Sequence, residues 1–270
     1  RCALSGPRRS RRREMNPTAA RYSGMAASYA ALWSPVIRPM AAPVIEAVPG
    51  TAALVLEVGC GTGALFGDLG RAAPAAVIAG VDAAEGMLLR AQPGRVACGD
   101  AAALPVAAAC ADAAVAVFML HHVSDPAAAL AEIARVLKPG GFAGTVTWGA
   151  GTEHEAGTIW DGLLDAAGAP TEDEPADSRA AMDDDTKVAA VLAGSGLRVD
   201  RVWVARPEKR YSKHDLCTLH TQYGRRNHRW LSLSAPDRQR VLDEFRALLD
   251  RRGDLLVWHP EVVYALARLL

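Results

Sequence analysis

The segment from Leu54 to Gly63 constrains the fold of this chain more than any other stretch. It reads Leu-Val-Leu-Glu-Val-Gly-Cys-Gly-Thr-Gly, a short apolar run followed at once by three alternating glycines. The apolar run predicts a buried β-strand, and the residues after Gly63 can start a helix. A strand, a glycine turn and a helix in this order are typical of nucleotide-binding sites at the carboxyl edge of open α/β sheets. Glycines suit such a turn because a ligand can approach backbone that carries no Cβ.

Two classes of cofactor fit the glycine spacing. The run Gly59-x-Gly61-x-x-Ala64 satisfies the dinucleotide pattern G-x-G-x-x-G/A, which predicts an NAD(P)-dependent oxidoreductase. Glu57, two residues before the first glycine, argues against that class because its carboxylate would repel a pyrophosphate. The same carboxylate favours a ligand that carries positive charge.

The run Glu57-x-Gly59-x-Gly61-x-Gly63 resembles motif I of the class I S-adenosylmethionine-dependent methyltransferases. S-adenosylmethionine has no phosphate and carries a sulfonium cation and an ammonium group, both of which suit Glu57. The resemblance implies that the cofactor is S-adenosylmethionine, that the product is S-adenosylhomocysteine, and that Cys60 and the three glycines contact the cofactor together with Glu57.

Acidic residues at the ends of the next two predicted strands fit this cofactor as well. Asp82 closes a strand predicted over 76–81, where an acid can accept both ribose hydroxyls of either cofactor class or can instead cap a helix. Asp100 follows a third strand predicted over 95–98. In the methyltransferase family this Asp accepts from the adenine amino group, and the next backbone N–H, here that of Ala101, bonds the ring. The alternative for Asp100 is a local Asx-turn.

A second signature narrows the resemblance to one group of these methyltransferases. Arg135-Val136-Leu137-Lys138-Pro139-Gly140-Gly141 resembles the R-x-L-K-P-G-G segment that precedes strand five in the type 11, ubiquinone-biosynthesis-like methyltransferases, and the preceding Leu-His-His-Val matches the same group. The resemblances extend over 54–148. Met87, early in the helix after Asp82, and Met119, in a fourth strand predicted over 113–120, complete the expected cofactor contacts.

The expected fold is α/β, with a Rossmann-like, doubly wound sheet of seven mostly parallel strands. Strand five is predicted over 142–148, after a helix over 127–138 that Pro139-Gly140-Gly141 stops. The last strand, about 262–267, is expected to run antiparallel beside a strand over 197–205, as in the family's terminal β-hairpin. A mostly helical insertion at about 212–251 is then expected to form a lid over the substrate.

The expected domain organisation is a leader followed by one methyltransferase domain. Residues 1–14 are rich in arginine and lack apolar periodicity, which predicts a disordered leader; a nucleic-acid arm or a transit peptide is the alternative. Residues 15–270 form the domain, with a cofactor-binding half over 50–150 and a substrate and lid half over 15–49 and 151–270. Pro35, Pro39, Pro43 and Pro49 predict that the helical segment over 21–48 is broken into short pieces. Tyr22 and Tyr29 in this segment resemble the paired tyrosines that cover the cofactor in many small-molecule methyltransferases.

The predicted reaction is methyl transfer from S-adenosylmethionine to an O, N or C atom of a small molecule. A general base is needed only where the acceptor must lose a proton during attack. His121 and His122, just beyond the fourth strand, are the candidates for that base, and His154 is a third. The competing hypotheses are a cofactor-binding protein or partner subunit without turnover, and the NAD(P)-dependent oxidoreductase.

Composition limits the partners. Thirty basic and thirty acidic residues give a formal net charge of zero, which argues against a general polyanion-binding surface. One basic and aromatic cluster, which could meet a single-stranded nucleic acid or else an acidic or planar substrate, consists of Arg225, Arg226, His228, Arg229 and Trp230. We expect no nucleic-acid partner, and the oligomeric state is left open.

Three further patterns bear on metals, location and membranes. His214-x-x-Cys217-x-x-His220 shares one helix face, but no further ligand pair completes a tetrahedral set, so no metal site is predicted. Five scattered cysteines give no disulfide framework, which favours a reducing, cytoplasmic location. No uninterrupted apolar run approaches the roughly 18 residues of a membrane-spanning helix.

Overall fold

The structure, a computed structural model, describes residues 16–91, 95–171 and 179–270. The strands are β1 (Leu54–Val58), β2 (Val77–Asp82), β3 (Arg95–Cys98), β4 (Ala111–Val117), β5 (Leu137–Trp148), β6 (Leu197–Ala205), β7 (Lys209–Arg210), β8 (Val257–Trp258) and β9 (Val262–Leu269). The α-helices are α1 (Pro17–Gly24), α2 (Ala26–Ser28), α3 (Ser34–Ile45), α4 (Phe66–Ala72), α5 (Glu85–Leu88), α6 (Pro126–Val136), α7 (Glu155–Ala166), α8 (Asp185–Gly194), α9 (Lys213–Gln222), α10 (Gly224–Leu231) and α11 (Ala235–Arg251), and a π-helical turn spans Tyr29–Trp33. The leader predicted over 1–14 lies outside the described residues.

Seven strands form one sheet in the order β3-β2-β1-β4-β5-β9-β6. The first five pair in parallel, and β9 runs antiparallel to both β5 and β6. The predicted fold class, a Rossmann-like sheet with an antiparallel last strand, is therefore confirmed. The central strands β1 and β4 are buried along almost their whole length, because a parallel sheet is covered on both faces. The strand order reverses between β1 and β4, and such a reversal opens a crevice at the carboxyl ends of the two strands.

Strand β5 begins earlier than the sequence predicts. Helix α6 ends at Val136, and Leu137 already pairs with Ala111 of β4. The register then shifts, so that Phe142 pairs with Ala113. The Pro-Gly-Gly segment thus lies within an irregular strand rather than between a helix and a strand, and the prediction of a start at 142 was wrong by five residues.

The prediction that prolines break the segment 21–48 was wrong for α3, which continues through Pro39 and Pro43. Pro35, Pro39 and Pro43 are spaced four residues apart, and all three are exposed. A proline removes the hydrogen bond to the carbonyl four residues earlier. Here the affected carbonyls share the outer face of the helix, where water can bond them, while the opposite face is buried.

Helices α9, α10 and α11 occupy the segment for which a helical lid is predicted. They pack against α7 through a buried aromatic cluster in which the ring of Trp160 stacks on His220 at 5.4 Å and meets the edge of Phe245 at 5.0 Å. No helix among the described residues combines the length and the apolar character needed to cross a bilayer.

A glycine substitution inside β2 tests the packing behind the glycine turn. An added Cβ at Gly80 would lie 2.5 Å from the sulfur of Cys60 and 2.7 Å from ring atom Cζ of Phe66. We expect Gly80→Ala to lower the free energy of unfolding by about 1–3 kcal/mol, the usual cost of overpacking, as measured by urea denaturation. Gly70→Ala is the matched control, since no atom lies within 4 Å of its added Cβ in α4; it should stabilise the protein by roughly 0.5–1 kcal/mol. Equal effects of the two changes would contradict this packing.

Candidate functional site

The glycine turn after β1 needs left-handed backbone at three positions. The φ angles of Gly59, Gly61 and Gly63 are +73°, +52° and +71°. A Cβ added at Gly59 would lie 2.5 Å from Cβ of Met119, so the residues after β4 pack directly on the turn. A Cβ added at Gly61 would have its nearest neighbour, a ring carbon of Tyr29, 3.8 Å away. The turn therefore presents bare backbone at Gly61 beneath an aromatic ring.

Most amides of this turn are bonded inside the protein. The N–H groups of Gly59 and Cys60 both donate to the carbonyl of Val81, at 2.7 and 3.1 Å, and that of Gly63 donates to the carbonyl of Cys60 at 2.9 Å. The N–H of Gly61 donates to the Asp82 carboxylate at 2.8 Å. A pyrophosphate site uses such amides as outward donors, so this turn suits a ligand without phosphate.

Glu57 is a buried carboxylate with an unsatisfied oxygen. It is 3% exposed, and its Oε2 has no hydrogen-bond partner among the described residues. Burial, and then the nearby carboxylate of Asp82, raise the pKa of Glu57 well above its ordinary value. An unpaired charge in such a position is destabilising unless a cation or a proton compensates it. The environment of Glu57 thus favours a positively charged ligand group.

Asp82 is held from two sides at the end of β2. Its Oδ1 accepts from the N–H of Ala84 and its Oδ2 from the N–H of Gly61, both at 2.8 Å. Burial raises the pKa of Asp82, and the two backbone donors oppose that rise. Asp82 does not take the N-cap role considered as its alternative, because the N-cap of α5 is Ala84 and no side chain caps that helix. The two backbone bonds instead fix the orientation of the carboxylate beside the turn.

The other expected cofactor contacts lie around the same edge of the sheet. Asp100 makes the Asx-type contact considered as its alternative, since its Oδ1 accepts from the N–H of Ala102 at 3.0 Å. Ala101 is buried, and Met87 is buried against Tyr22 and Tyr29.

Cys60 differs from these residues because its sulfur faces the protein interior. The side chain is 4% exposed and fills the space beside Gly80. Any contact of Cys60 with a ligand would therefore go through its backbone, a distinction that the sequence pattern does not reveal.

The N-terminal helices lie over the turn. The N–H of Gly86 donates to Ser23 Oγ at 3.2 Å, and an added Cβ at Gly86 would lie 2.6 Å from the carbonyl oxygen of Ser23, so α1 rests directly on α5. Tyr22 Oη lies 2.7 Å from Nε2 of His122. Burial raises the pKa of Tyr29, with further contributions from Tyr22, Glu57 and Asp82. These contacts bring both tyrosines to the site, and Tyr29 lies near the carboxylates of Glu57 and Asp82.

The candidate histidines occupy two places. His121 and His122 follow β4 in a short 3-10 helix, with their rings 3.8 Å apart. Burial, then His122 and then Arg179, lower the pKa of His121 far below its ordinary value, so that His121 is neutral. His154 lies elsewhere, at the start of α7, where its Nε2–H donates to the carbonyl of Leu255 at 3.0 Å. Burial also lowers the pKa of His154.

A cavity of about 280 Å³ lies beside this site, and we call it the aromatic cavity. Its wall consists of Trp33, Trp148, Thr152, Glu153, His154, Arg179, Tyr211, Leu219, His220, Tyr223, Gly224, Arg225, Arg226 and Trp258. Sequence reasoning did not find it. Its aromatic residues come from separate elements far apart in the chain, so no local spacing in the sequence predicts that they meet.

The basic cluster of α10 is bound mainly to α7. Arg226 donates to Asp161 at 2.9 Å. Arg229 is 5% exposed and bonds Asp161, Asp165 and the carbonyl of Pro170. These carboxylates neutralise two of the cations that a nucleic-acid site would use.

In the motif His214-x-x-Cys217-x-x-His220, the side chains of Cys217 and His220 are buried. Among the described residues, no three His, Cys, Asp or Glu side chains are grouped so that they could hold a metal ion.

The buried Glu57 carboxylate gives a pH-dependent prediction. Its folded-state pKa lies above the unfolded value of 4.5, so in the ligand-free protein the unfolded state ionises first as pH rises, and stability falls. We expect Glu57→Gln to exceed the wild type in unfolding free energy at pH 8 by about 1 kcal/mol or more, with a smaller difference at pH 5. Urea denaturation at both pH values measures it. The exposed Glu46→Gln should show no such trend; a pH-independent difference for Glu57→Gln would refute the assignment.

Comparison with known families and curated proteins gives two matches. The family model described as "Methyltransferase domain" matches residues 56–144. An uncharacterized 37.1 kDa protein in a transposon of Streptomyces fradiae is 39% identical over 105 residues. That match covers 36% of this chain and 30% of the relative, so the chain spans less than a third of that protein.

Solved structures share the fold at low sequence identity. A candidate methyltransferase from Bacillus halodurans is 18% identical, with a TM-score of 0.53, over 85% of this chain and 97% of that one. The YcgJ protein of Bacillus subtilis is also 18% identical, with a TM-score of 0.52, over 85% and 96%. The cyclase SpnF is 20% identical, with a TM-score of 0.54, over 87% and 80%.

Proposed function

We propose that this protein, whose residues 56–144 match the methyltransferase-domain model, transfers a methyl group from S-adenosylmethionine to an O, N or C atom of a small molecule. The observation that carries the proposal is the buried, unpartnered oxygen of Glu57 behind a turn of bare backbone. A phosphate-free cation satisfies that carboxylate, whereas a dinucleotide does not. The cofactor supplies an electrophilic methyl group.

The residues around the turn fit this cofactor in distinct roles. Glu57 compensates its positive charge, and the fixed carboxylate of Asp82 accepts the ribose hydroxyls. Asp100 and Ala101 hold the adenine, while Met87 and Met119 flank it, and Gly59, Gly61, Gly63 and the backbone of Cys60 form the floor. Tyr22 and Tyr29 cover the site and exclude water, which strengthens these electrostatic interactions.

We assign positioning rather than proton transfer to His122, because its Nε2 already bonds the Tyr22 hydroxyl. His121 is neutral, and its Nδ1 has no partner among the described residues. A general base, where the acceptor needs one, would therefore be His121 or His154.

We further propose a cytoplasmic location, because the scattered cysteines favour a reducing compartment, and no nucleic-acid partner, because the formal net charge is zero.

Two alternatives make different predictions. The fold is shared with a protein described as a cyclase, so the fold by itself does not fix the reaction, and binding without turnover is the first alternative. The second is the NAD(P)-dependent oxidoreductase.

Calorimetry with S-adenosylhomocysteine and with NADH measures which of the two cofactor classes the protein binds. Release of S-adenosylhomocysteine in the presence of phenols, quinols, amines and sterols tests whether the protein turns over. Binding of NADH alone would overturn the proposal; cofactor binding without turnover on any acceptor would favour the first alternative.

Removing the charge of Asp82 tests the ribose contact. We expect Asp82→Asn to weaken S-adenosylhomocysteine binding at least tenfold, since hydrogen bonds to a charged group contribute about 1.5–3 kcal/mol. Isothermal titration calorimetry measures the affinity, and thermal denaturation checks the fold. Asp250→Asn is the matched control, because that carboxylate is exposed on α11 and pairs with Lys213. An unchanged affinity in a folded Asp82→Asn protein would remove Asp82 from the site.

A double-mutant cycle tests the contact between Tyr22 and His122. Tyr22→Phe and His122→Ala should each weaken S-adenosylhomocysteine binding several-fold, and the double variant should be no weaker than the worse single one, because both remove the same hydrogen bond. kcat on an active acceptor should stay near the wild-type value. A fall in kcat of roughly 10²-fold or more for His122→Ala alone would instead identify proton transfer by His122.

A further inference from the structure

Arg21 lies on the helix that covers the glycine turn, beside Tyr22. It belongs to the last turn of α1, and its guanidinium carbon lies 5.4 Å from the centroid of the Tyr22 ring. The Tyr22 ring meets that of Tyr29 edge-on at 5.9 Å, and Tyr29 lies over Gly61. Two aromatic rings therefore connect the Arg21 guanidinium to the bare backbone of the turn.

The Nε–H group of Arg21 is a buried donor without an acceptor. Its nitrogen is shielded from solvent and has no hydrogen-bond partner among the described residues. Leaving a buried, charged donor unpaired is destabilising. A guanidinium presents its donors in a planar fork, which binds a carboxylate through two parallel hydrogen bonds. Arg21 therefore fits a carboxylate that belongs to a ligand.

The charge of Arg21 acts where three tyrosines meet. We call Tyr22, Tyr29 and Tyr223 the tyrosine cluster, because the ring of Tyr29 lies 5.9 Å from that of Tyr22 and 6.2 Å from that of Tyr223. Burial, and then Tyr22 and Tyr29, raise the pKa of Tyr223, whereas Arg21 lowers it. The guanidinium is thus close enough to the cluster to stabilise negative charge there.

Opposite charges act on the tyrosine cluster from two places. Glu57 and Asp82 contribute to the raised pKa of Tyr29, whereas Arg21 acts on Tyr223. A ligand ammonium group is attracted to Glu57. A ligand carboxylate is repelled by Glu57 and Asp82 and attracted to Arg21. A ligand that reaches from the turn to the cluster is therefore favoured when it ends in a zwitterion.

Arg179 is the rival cation near this edge of the sheet. It contributes to the lowered pKa of His121. Its Nη1, however, lies 4.0 Å from the carboxylate of Glu153, and both residues belong to the wall of the aromatic cavity. Arg179 therefore already has an anionic partner in that wall, and the contacts with the tyrosine cluster favour Arg21.

We propose that Arg21 binds the carboxylate of S-adenosylmethionine while Glu57 compensates its ammonium group. The inference rests on the cofactor of the proposed function and adds a selectivity to it, because the protein then discriminates against the decarboxylated form of the same molecule. The orphaned Nε–H, the adjoining tyrosines and the separation of charge all lead to this assignment, and no sequence motif includes Arg21.

Calorimetry with three related probes tests the selectivity. The full chain is titrated with S-adenosylhomocysteine, with S-adenosyl-3-thiopropylamine, which keeps the ammonium group but lacks the carboxylate, and with 5′-methylthioadenosine, which lacks both. We expect S-adenosylhomocysteine to bind at least about tenfold more tightly than the amine, since a charge-assisted bidentate pair is lost. Equal binding of these two probes would overturn the proposal.

Variants identify the residue that recognises the carboxylate. Arg21→Gln should weaken S-adenosylhomocysteine about tenfold and change the other two probes by less than about twofold. Arg21→Lys should restore part of the loss, because it keeps the charge without the fork. Arg240→Gln, on the exposed face of α11, is the control and should change none of the three affinities.

The pattern across the probes separates binding from a structural role. If Arg21 only supports Tyr22, Arg21→Gln will weaken all three probes in parallel, and the proposal fails. A selective loss of S-adenosylhomocysteine in Arg179→Gln but not in Arg21→Gln would assign the carboxylate to Arg179 and also contradict it. Unchanged binding of 5′-methylthioadenosine shows that the variant is folded and that its adenosine site is intact.

The same titrations distinguish this proposal from the proposed function. Binding of S-adenosylhomocysteine that does not depend on Arg21 would overturn the carboxylate contact and leave methyl transfer standing. Binding of NADH but of none of the three adenosyl probes would overturn both.

Discussion

The carboxylate of Asp82 ties the glycine turn to the end of β2, and the geometry of the site depends on that connection. One oxygen holds the N–H of Gly61 and the other holds that of Ala84, so a single side chain orients both the turn and the start of α5. Gly80 supports the same arrangement from behind, because Cys60 fills the space that a side chain there would need. The turn is therefore rigid before any ligand arrives, and its preorganisation lowers the entropy lost on binding.

The site has two compartments that share one structural element. The bare backbone and the carboxylates of Glu57 and Asp82 lie at the glycine turn, and the tryptophans and arginines lie in the wall of the aromatic cavity. The π-helical turn Tyr29–Trp33 contributes its first residue to one compartment and its last to the other. π-helical turns are frequent at functional sites, and here the turn places one large ring over Gly61 and another in the wall of the aromatic cavity.

The fold could be predicted from the sequence because its determinants are local. The glycine turn, the apolar strands and the acids that close them each occupy a few consecutive residues. The features that the sequence predicted wrongly or did not predict also have physical causes. The effect of Pro39 and Pro43 depended on which face of α3 meets water, and the direction of Cys60 depended on the space beside Gly80. The aromatic cavity depended on contacts among residues more than 200 positions apart, such as Trp33 with Trp258, which no periodicity encodes.

The π-helical turn also gives the N-terminal segment one place where its length can change. A turn with i→i+5 bonds holds one residue more than an α-helical turn, and four α-helical residues complete about the same rotation of the chain. The loss of one residue within Tyr29–Trp33 would therefore be absorbed by a return to α-helical winding, and the hydroxyl of Tyr22 would stay near His122. The same loss at the end of α1 would turn Tyr22 by about 100° away from His122.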